Sequence, residues 1–153
     1  MAEAIEDENI ISVGGFVTRL FAFRPRPAEG ESALSLPQLL RYGHFRGWLE
    51  DSDERNSTAP LNRQTAARII HMFLLIECGL PDLPDITPAS KLKDLYTCRV
   101  CANHIAQVYC RGIMDTKKEE SAFPDSSALF FNHLATVSNA EADDILSKLE
   151  QLL

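Results

Sequence analysis

The chain has 153 residues, a formal net charge of −7 and 45% hydrophobic residues, and this length fits one domain with its own core. An acidic chain lacks the basic surface that neutralises phosphates, so binding to nucleic acid is not expected. The longest apolar run, IIHMFLLIECGL, is far short of the roughly 20 residues that span a bilayer, so membrane insertion is not expected either.

The N-terminal sequence MAEAIEDENI is acidic, whereas an export signal begins basic and continues apolar. Nothing in this stretch directs export. Localisation therefore stays open between the cell surface and the cytoplasm, the latter being expected if Met1 is the native start.

Apolar residues recur at helical spacing along most of the chain, and Pro-, Gly- and Ser-rich stretches separate the periodic segments. Ser12 and Asn62 stand where a side-chain oxygen can cap the first turn of a helix. The sequence predicts an all-α fold. The predicted helices cover residues 11 to 23, 36 to 49, 60 to 79 and about 90 to 113, with further helices starting near Pro124 and after Ser138.

Two signatures repeat along the chain. The stretches RGWLED and RGIMD each end a helix at a glycine, Gly47 or Gly112, which suits the left-handed residue that stops a helix. The stretches ISVGGFVTRLF, LNRQTAARII and FPDSSALFF share one apolar template at helix starts. We interpret residues 1 to 153 as one domain of about two and a half helix–loop–helix repeats. The units are residues 10 to 35, 36 to 80 and 90 to 136, followed by a C-terminal helix over 138 to 153.

These stretches resemble the S-layer homology domain, whose repeats run from a helix ending in a GI(I/M/V) turn, through a loop, to a helix with a Thr-Arg-Ala-Glu-like start. The resemblance covers nearly all of residues 10 to 136. The arginine of that start is present as Arg63, while Val13 and Asp125 stand at the equivalent positions. The resemblance implies a pseudo-threefold arrangement of helix pairs with binding grooves between lobes. It also implies a bacterial role in holding exported proteins on an anionic cell-wall polysaccharide.

Candidate ligand-binding residues come from an arginine-rich part of the chain. Residues 19 to 68 contain eight arginines, no lysine and six acidic residues, and the planar guanidinium suits carboxylates. Arg63 is expected to be exposed, and Arg63 and the capping residue Asn62 beside it are expected to bind the glycan. Arg46, Trp48 and Tyr42 are expected to line the same groove. The alternatives are that Arg63 is a solvated charge or a structural ion pair, and that Trp48 is a core residue.

The four cysteines, at positions 78, 98, 101 and 110, are too sparse for a disulfide framework, so free and partly buried thiols are expected. The stretch CRVCANHIAQVYC has zinc-ligand residue types, but in one continuous helix Cys110 would lie about 18 Å from Cys98. No metal is therefore expected. A redox Cys-x-x-Cys works at a helix N-terminus, whereas a helix beginning near Ser90 or Lys93 places Cys98 beyond its first turn.

No phosphate loop, dinucleotide fingerprint, nucleophile elbow or H-E-x-x-H motif occurs in the sequence, so no enzyme activity and no cofactor are expected. The repeated template position of His71 and His133 suggests a structural role for both. The favoured function is a non-catalytic module that binds an anionic cell-wall glycan. The alternative is an intracellular helical adaptor that binds a protein partner.

Overall fold

A computed structural model describes residues 9 to 23, 34 to 117 and 128 to 153. Helices make up 56% of these residues and no strand occurs among them, so the predicted all-α class is confirmed for the described chain. Two short 3-10 helices, Thr87–Lys91 and Leu95–Thr97, lie between the fourth and fifth α-helices. The α-helices are α1 (Val13–Phe21), α2 (Leu36–Arg46), α3 (Asp51–Arg55), α4 (Arg63–Ile76), α5 (Ala102–Cys110) and α6 (Asn139–Leu152).

The starts of α1, α4 and α6 are each capped by a side chain of the residue that precedes the helix. The side-chain oxygens of Ser12, Asn62 and Ser138 each accept a hydrogen bond from the amide three residues later, at 3.0, 2.8 and 3.0 Å. Each cap satisfies an amide that the first turn of a helix leaves unpaired. The predicted caps at Ser12 and Asn62 are therefore confirmed.

The two predicted glycine-terminated turns are also confirmed. Gly47 and Gly112 adopt φ values of 99° and 75°, a left-handed conformation that a residue with a Cβ atom disfavours. In both turns the next two amides donate back to one carbonyl in the last turn of the helix, that of Gly43 or of Val108. The two apolar residues that follow each glycine are at most 3% exposed and anchor the turn in the core; they are Trp48, Leu49, Ile113 and Met114.

A ring of backbone hydrogen bonds joins the segments that precede α1, α4 and α6. The Ile11 amide donates to the Val137 carbonyl at 3.1 Å, Val137 donates to Leu61 at 2.8 Å, and Leu61 donates to Ile11 at 2.9 Å. Each of the three residues thus donates once and accepts once. These three residues are at most 6% exposed, so the ring is formed by residues of the hydrophobic core.

The third helix that leaves this ring is α6 after Ser138, and not a helix near Pro124. The start of that predicted helix, residues 124 to 127, lies outside the described residues, and residues 128 to 137 are not helical. They run instead as an irregular segment whose carbonyls at His133 and Ala135 accept from the first amides of α4. Asp125, which the resemblance places at the position equivalent to Arg63, lies outside the described residues. Asn139 follows the capping residue Ser138 of α6 as Arg63 follows the capping residue Asn62 of α4.

The long helix predicted from about residue 90 to 113 is wrong over its first half. Only α5 (Ala102–Cys110) is an α-helix here, and the 3-10 helices Thr87–Lys91 and Leu95–Thr97 precede it. Asp94 interrupts the helix because its carboxylate accepts from the Phe131 and Asn132 amides at 2.8 and 2.7 Å. Tertiary hydrogen bonds thus replace the helical ones that the apolar spacing suggests.

One hydrophobic core includes residues of α1, α2, α4, α5 and α6. Helix α4 lies at its centre, where Ala66, Ile69, Ile70 and Phe73 are fully buried, as the periodicity of the helix predicts. Helix α5 packs against α4. None of the helices in the described residues has the length and apolar character needed to cross a membrane.

Candidate functional site

Arg63 is buried, and the expectation of an exposed guanidinium is wrong. Only 4% of its side chain is accessible, and the guanidinium lies 4.5 Å from the centroid of the Phe131 ring. Its Nε donates to the Phe131 carbonyl at 2.8 Å, and its two terminal nitrogens donate to the Asp115 carbonyl and to the Glu141 carboxylate. Arg63 thus ties the start of α4 to three other segments.

The charge of Arg63 is compensated inside the protein. Burial lowers the pKa of its guanidinium, and the Glu141 carboxylate acts in the opposite direction. Glu141 lies in the first turn of α6, where a carboxylate is favoured by the helix dipole. The second oxygen of Glu141 accepts from Lys117 Nζ at 3.2 Å, so one carboxylate is held between two cations.

A groove of about 260 Å³ opens beside this ion-pair cluster, and we call it the Arg63 groove. It lies between the start of α4, the turn after α5 and the first turns of α6. Lys117 is its most accessible cation, with 40% of the side chain exposed. The described residues that line the groove are Arg63, Ile113, Met114, Asp115, Thr116, Lys117, Glu141, Asp144 and Ile145.

Tyr42, Arg46 and Trp48 meet elsewhere, around the carboxylate of Glu77. Their side chains donate to it at 3.2, 2.9 and 3.0 Å. Glu77 raises the pKa of Arg46 through a hydrogen bond and its charge. None of the three is among the described residues that line the Arg63 groove, so the composite site predicted from the sequence divides into two.

Trp48 is a core residue. Its side chain is 1% exposed and its ring contacts Phe21 and Phe73, with centroids 6.4 and 5.2 Å away. A ring in this position has no free face on which a sugar could stack. Asn62 is likewise engaged, since its side chain caps α4. Arg46 keeps 42% of its side chain exposed and is the most accessible of the predicted ligand-binding residues.

The expectation that all four cysteines are free thiols is wrong. Cys98 and Cys101 form a disulfide, while Cys78 and Cys110 are free and partly buried as predicted. Burial raises the pKa of the Cys78 thiol to about 11, with Glu77 adding to the effect. The disulfide can form because Cys98 and Cys101 flank a turn before α5 and do not lie within one helix. In the disulfide neither sulfur is a thiolate, which is the form that binds zinc.

A second cavity, of about 370 Å³, lies in front of this disulfide, and we call it the disulfide cavity. Two of its lining residues are bound to each other, since Arg68 donates to both oxygens of Asp53 at 2.8 and 2.7 Å. The lining residues are Glu50, Ser52, Asp53, Gln64, Thr65, Arg68, Cys98, Val100, Cys101 and His104.

A chain of polar side chains runs from the surface to the disulfide cavity. Asp82 lies 2.7 Å from His71 Nε2, and the Nδ1 atoms of His71 and His104 are 2.8 Å apart. An ionised carboxylate only accepts, so neutral His71 donates through Nε2 and its Nδ1 accepts from His104. This assignment leaves Nε2 of His104 as a hydrogen-bond acceptor. Burial lowers the pKa of His104 to about 4, with His71 and Arg68 adding to the effect.

We expect the protein to lose stability in mild acid through His104. Its folded pKa of about 4 lies below the ordinary value of about 6.5, so the unfolded state binds the proton more tightly. Neutral His104 contributes its full stabilising free energy above about pH 6.5. This free energy, on the order of 2 kcal/mol, is lost as the pH falls towards 4. Urea unfolding at about pH 7 and about pH 4.5 should show a smaller loss for His104→Gln than for the wild type, and equal losses would contradict the prediction.

Two further groups of side chains contain residue types that can bind a metal or catalyse a reaction. His44, Asp51 and Glu54 bring their ligand atoms within 4.8 Å of one another. Arg55 pairs with Asp51, and Arg41 pairs with Glu54, so this is an ion-pair cluster on the surface. His133 is buried against Asp94 at 3.3 Å, which agrees with the structural role predicted for it.

Sequence reasoning missed the carboxylates that organise both regions. Glu141 and Glu77 lie far along the chain from the arginines that they bind. A local signal existed for Glu141 alone, because an acidic residue three positions after the capping Ser138 is typical of a helix start. No protein-family model, no curated protein and no solved structure matches the chain.

Proposed function

We propose that the chain is a non-catalytic binding module built like an S-layer homology domain, which holds an anionic cell-wall polysaccharide in the Arg63 groove. The cyclic hydrogen bonds of Ile11, Leu61 and Val137 support a pseudo-threefold architecture. The residues that follow them, Ser12, Asn62 and Ser138, cap α1, α4 and α6. In this architecture the repeat that the sequence assigns to Pro124 begins at Ser138.

The observation that carries the proposal is the position of the Glu141 carboxylate between Arg63 and Lys117. Two cations beside a groove form a site for a carboxylate. In this structure the Glu141 carboxylate of the protein occupies that site. A carboxylate on a wall polysaccharide would take hydrogen bonds from Lys117 in the same geometry. The side chains of Met114 and Thr116 and the backbone of residues 114 to 116 would face the sugar ring.

The test is retention on purified sacculi that carry their anionic polymer, compared with sacculi from which it has been removed. We expect the wild type to bind the intact sacculi, and Lys117→Gln to weaken binding about tenfold, the value of one charge-assisted hydrogen bond. Circular dichroism and a thermal melt show that each variant is folded at the assay temperature.

Lys93→Gln is the matched control, since Lys93 is exposed and carries the same charge but does not line the Arg63 groove. It should bind like the wild type. Equal binding by wild type and Lys117→Gln, or no retention of the wild type on either preparation, would contradict the glycan proposal.

A protein-binding adaptor is the second candidate, and a specific observation favours it. Phe45, Val100, Leu134 and Tyr96 are 87%, 84%, 72% and 70% exposed, so each is accessible to a partner protein. Absence of wall binding, together with slower aggregation of a Val100→Ser variant, would favour this function.

A further inference from the structure

The Cys98–Cys101 disulfide closes the turn that leads into α5. Neither cysteine lines the Arg63 groove. Because α5 begins at Ala102, the motif Cys-Arg-Val-Cys lies at a helix N-terminus, the position in which such pairs exchange with thiols.

The two sulfurs have different surroundings. Cys101 is 8% exposed and is the residue that caps α5, a helix of nine residues, with no side-chain hydrogen bond to its amides. Cys98 is half-buried. Cys101 directly precedes α5, so a thiolate released on Cys101 lies nearer along the chain to the positive end of the helix dipole than one released on Cys98. Cys101 is therefore the better leaving group, and Cys98 is the more accessible target.

The disulfide cavity supplies a route to this target. Both cysteines line it, and Val100 at its rim is 84% exposed. Its charged lining residues are Glu50, Asp53 and Arg68, and the Asp53 carboxylate is bound by Arg68 on both oxygens. The cavity volume of about 370 Å³ suits a small molecule, while Val100 offers an apolar contact to its thiol-bearing carbon.

We propose that Cys98–Cys101 is a thiol–disulfide exchange site for a low-molecular-weight monothiol that enters the disulfide cavity. The thiolate attacks Sγ of Cys98, the S–S bond breaks, and its electron pair leaves on Sγ of Cys101. A second thiolate attacks the incoming sulfur of the mixed disulfide and releases Cys98. The protein disulfide gains two electrons and two protons, and two monothiols become one disulfide.

The experiment uses the full chain under native conditions in glutathione buffers of varied ratio, followed by acid quenching, alkylation and peptide mapping. We expect Cys98–Cys101 to equilibrate across these ratios without denaturant. In a Cys101→Ser variant, glutathione should remain attached to Cys98. In a Cys98→Ser variant at neutral pH, iodoacetamide should modify Cys101 at least about tenfold faster than Cys110 in the same molecule, because a helix N-terminus lowers a thiol pKa.

Cys110→Ser is the control that leaves the pair intact, and it should titrate like the wild type. A disulfide that stays oxidised until urea is added would overturn the proposal and mark the bond as structural. Faster modification of Cys110 than of Cys101, or no mixed disulfide on Cys98, would also overturn it. The sacculus assay does not depend on any of these outcomes.

Discussion

Arg63→Ala is expected to lower the free energy of unfolding by about 3 to 5 kcal/mol, the usual cost of removing one partner of a buried ion pair. The variant leaves the Glu141 carboxylate without its arginine and the carbonyls of Phe131 and Asp115 without a donor. It also removes the cation from the Phe131 ring. Urea denaturation monitored by circular dichroism measures the change.

Arg19→Ala is the matched control, because Arg19 also pairs with a carboxylate of α6 but has 42% of its side chain exposed. Its expected cost is at most about 1 kcal/mol, as for other exposed ion pairs. Arg63→Lys should recover only part of the loss, since an ammonium cannot reproduce the planar fork. A loss below about 1 kcal/mol for Arg63→Ala would show that its charge is solvated after all.

Trp48→Ala is expected to cost about 3 to 5 kcal/mol, as for other buried aromatic residues replaced by alanine. The substitution leaves a cavity between Phe21 and Phe73 and removes the Nε1 donor to Glu77. The same denaturation experiment measures the effect. Loss of the near-ultraviolet circular dichroism signal is not informative here, since Trp48 is the single tryptophan of the chain.

Two variants separate the contributions at this position. Trp48→Phe keeps most of the packing but not the hydrogen bond to Glu77, and should cost about 1 to 3 kcal/mol. Phe45→Ala, at a side chain that is 87% exposed, should change stability by no more than about 0.5 kcal/mol. A sugar-stacking tryptophan at the surface would give the opposite ranking, with Trp48→Ala affecting binding and leaving stability nearly unchanged.

The burial of Arg63 determines which side chain can be replaced to test glycan binding. Arg63 cannot serve as the binding probe, because its removal is expected to unfold part of the molecule and would abolish binding for that reason alone. Lys117 shares the carboxylate of Glu141 with Arg63 and remains 40% exposed. It therefore reports on the ligand with less effect on the fold.

Features that depend on a few neighbouring residues could be predicted from the sequence. A serine or asparagine oxygen reaches an amide three residues away, as at Ser12 and Asn62, and a glycine adopts the left-handed conformation without steric cost, as at Gly47 and Gly112. The apolar periodicity of α4 requires only that one face be buried. These interactions form within one or two helical turns, so the sequence determined the all-α class and most helix boundaries.

The sites depend on contacts between residues that are distant along the chain. Arg63 finds its partners 52, 68 and 78 residues away, and no local pattern distinguishes an arginine that will be buried by such contacts from one that stays in solvent. Asp94 ends a helical pattern by binding amides 37 and 38 residues later, and this moved the start of α5 to the Cys-x-x-Cys motif. Only the tertiary structure decided these outcomes, because tertiary hydrogen bonds and burial outweigh the small free-energy differences of local propensity.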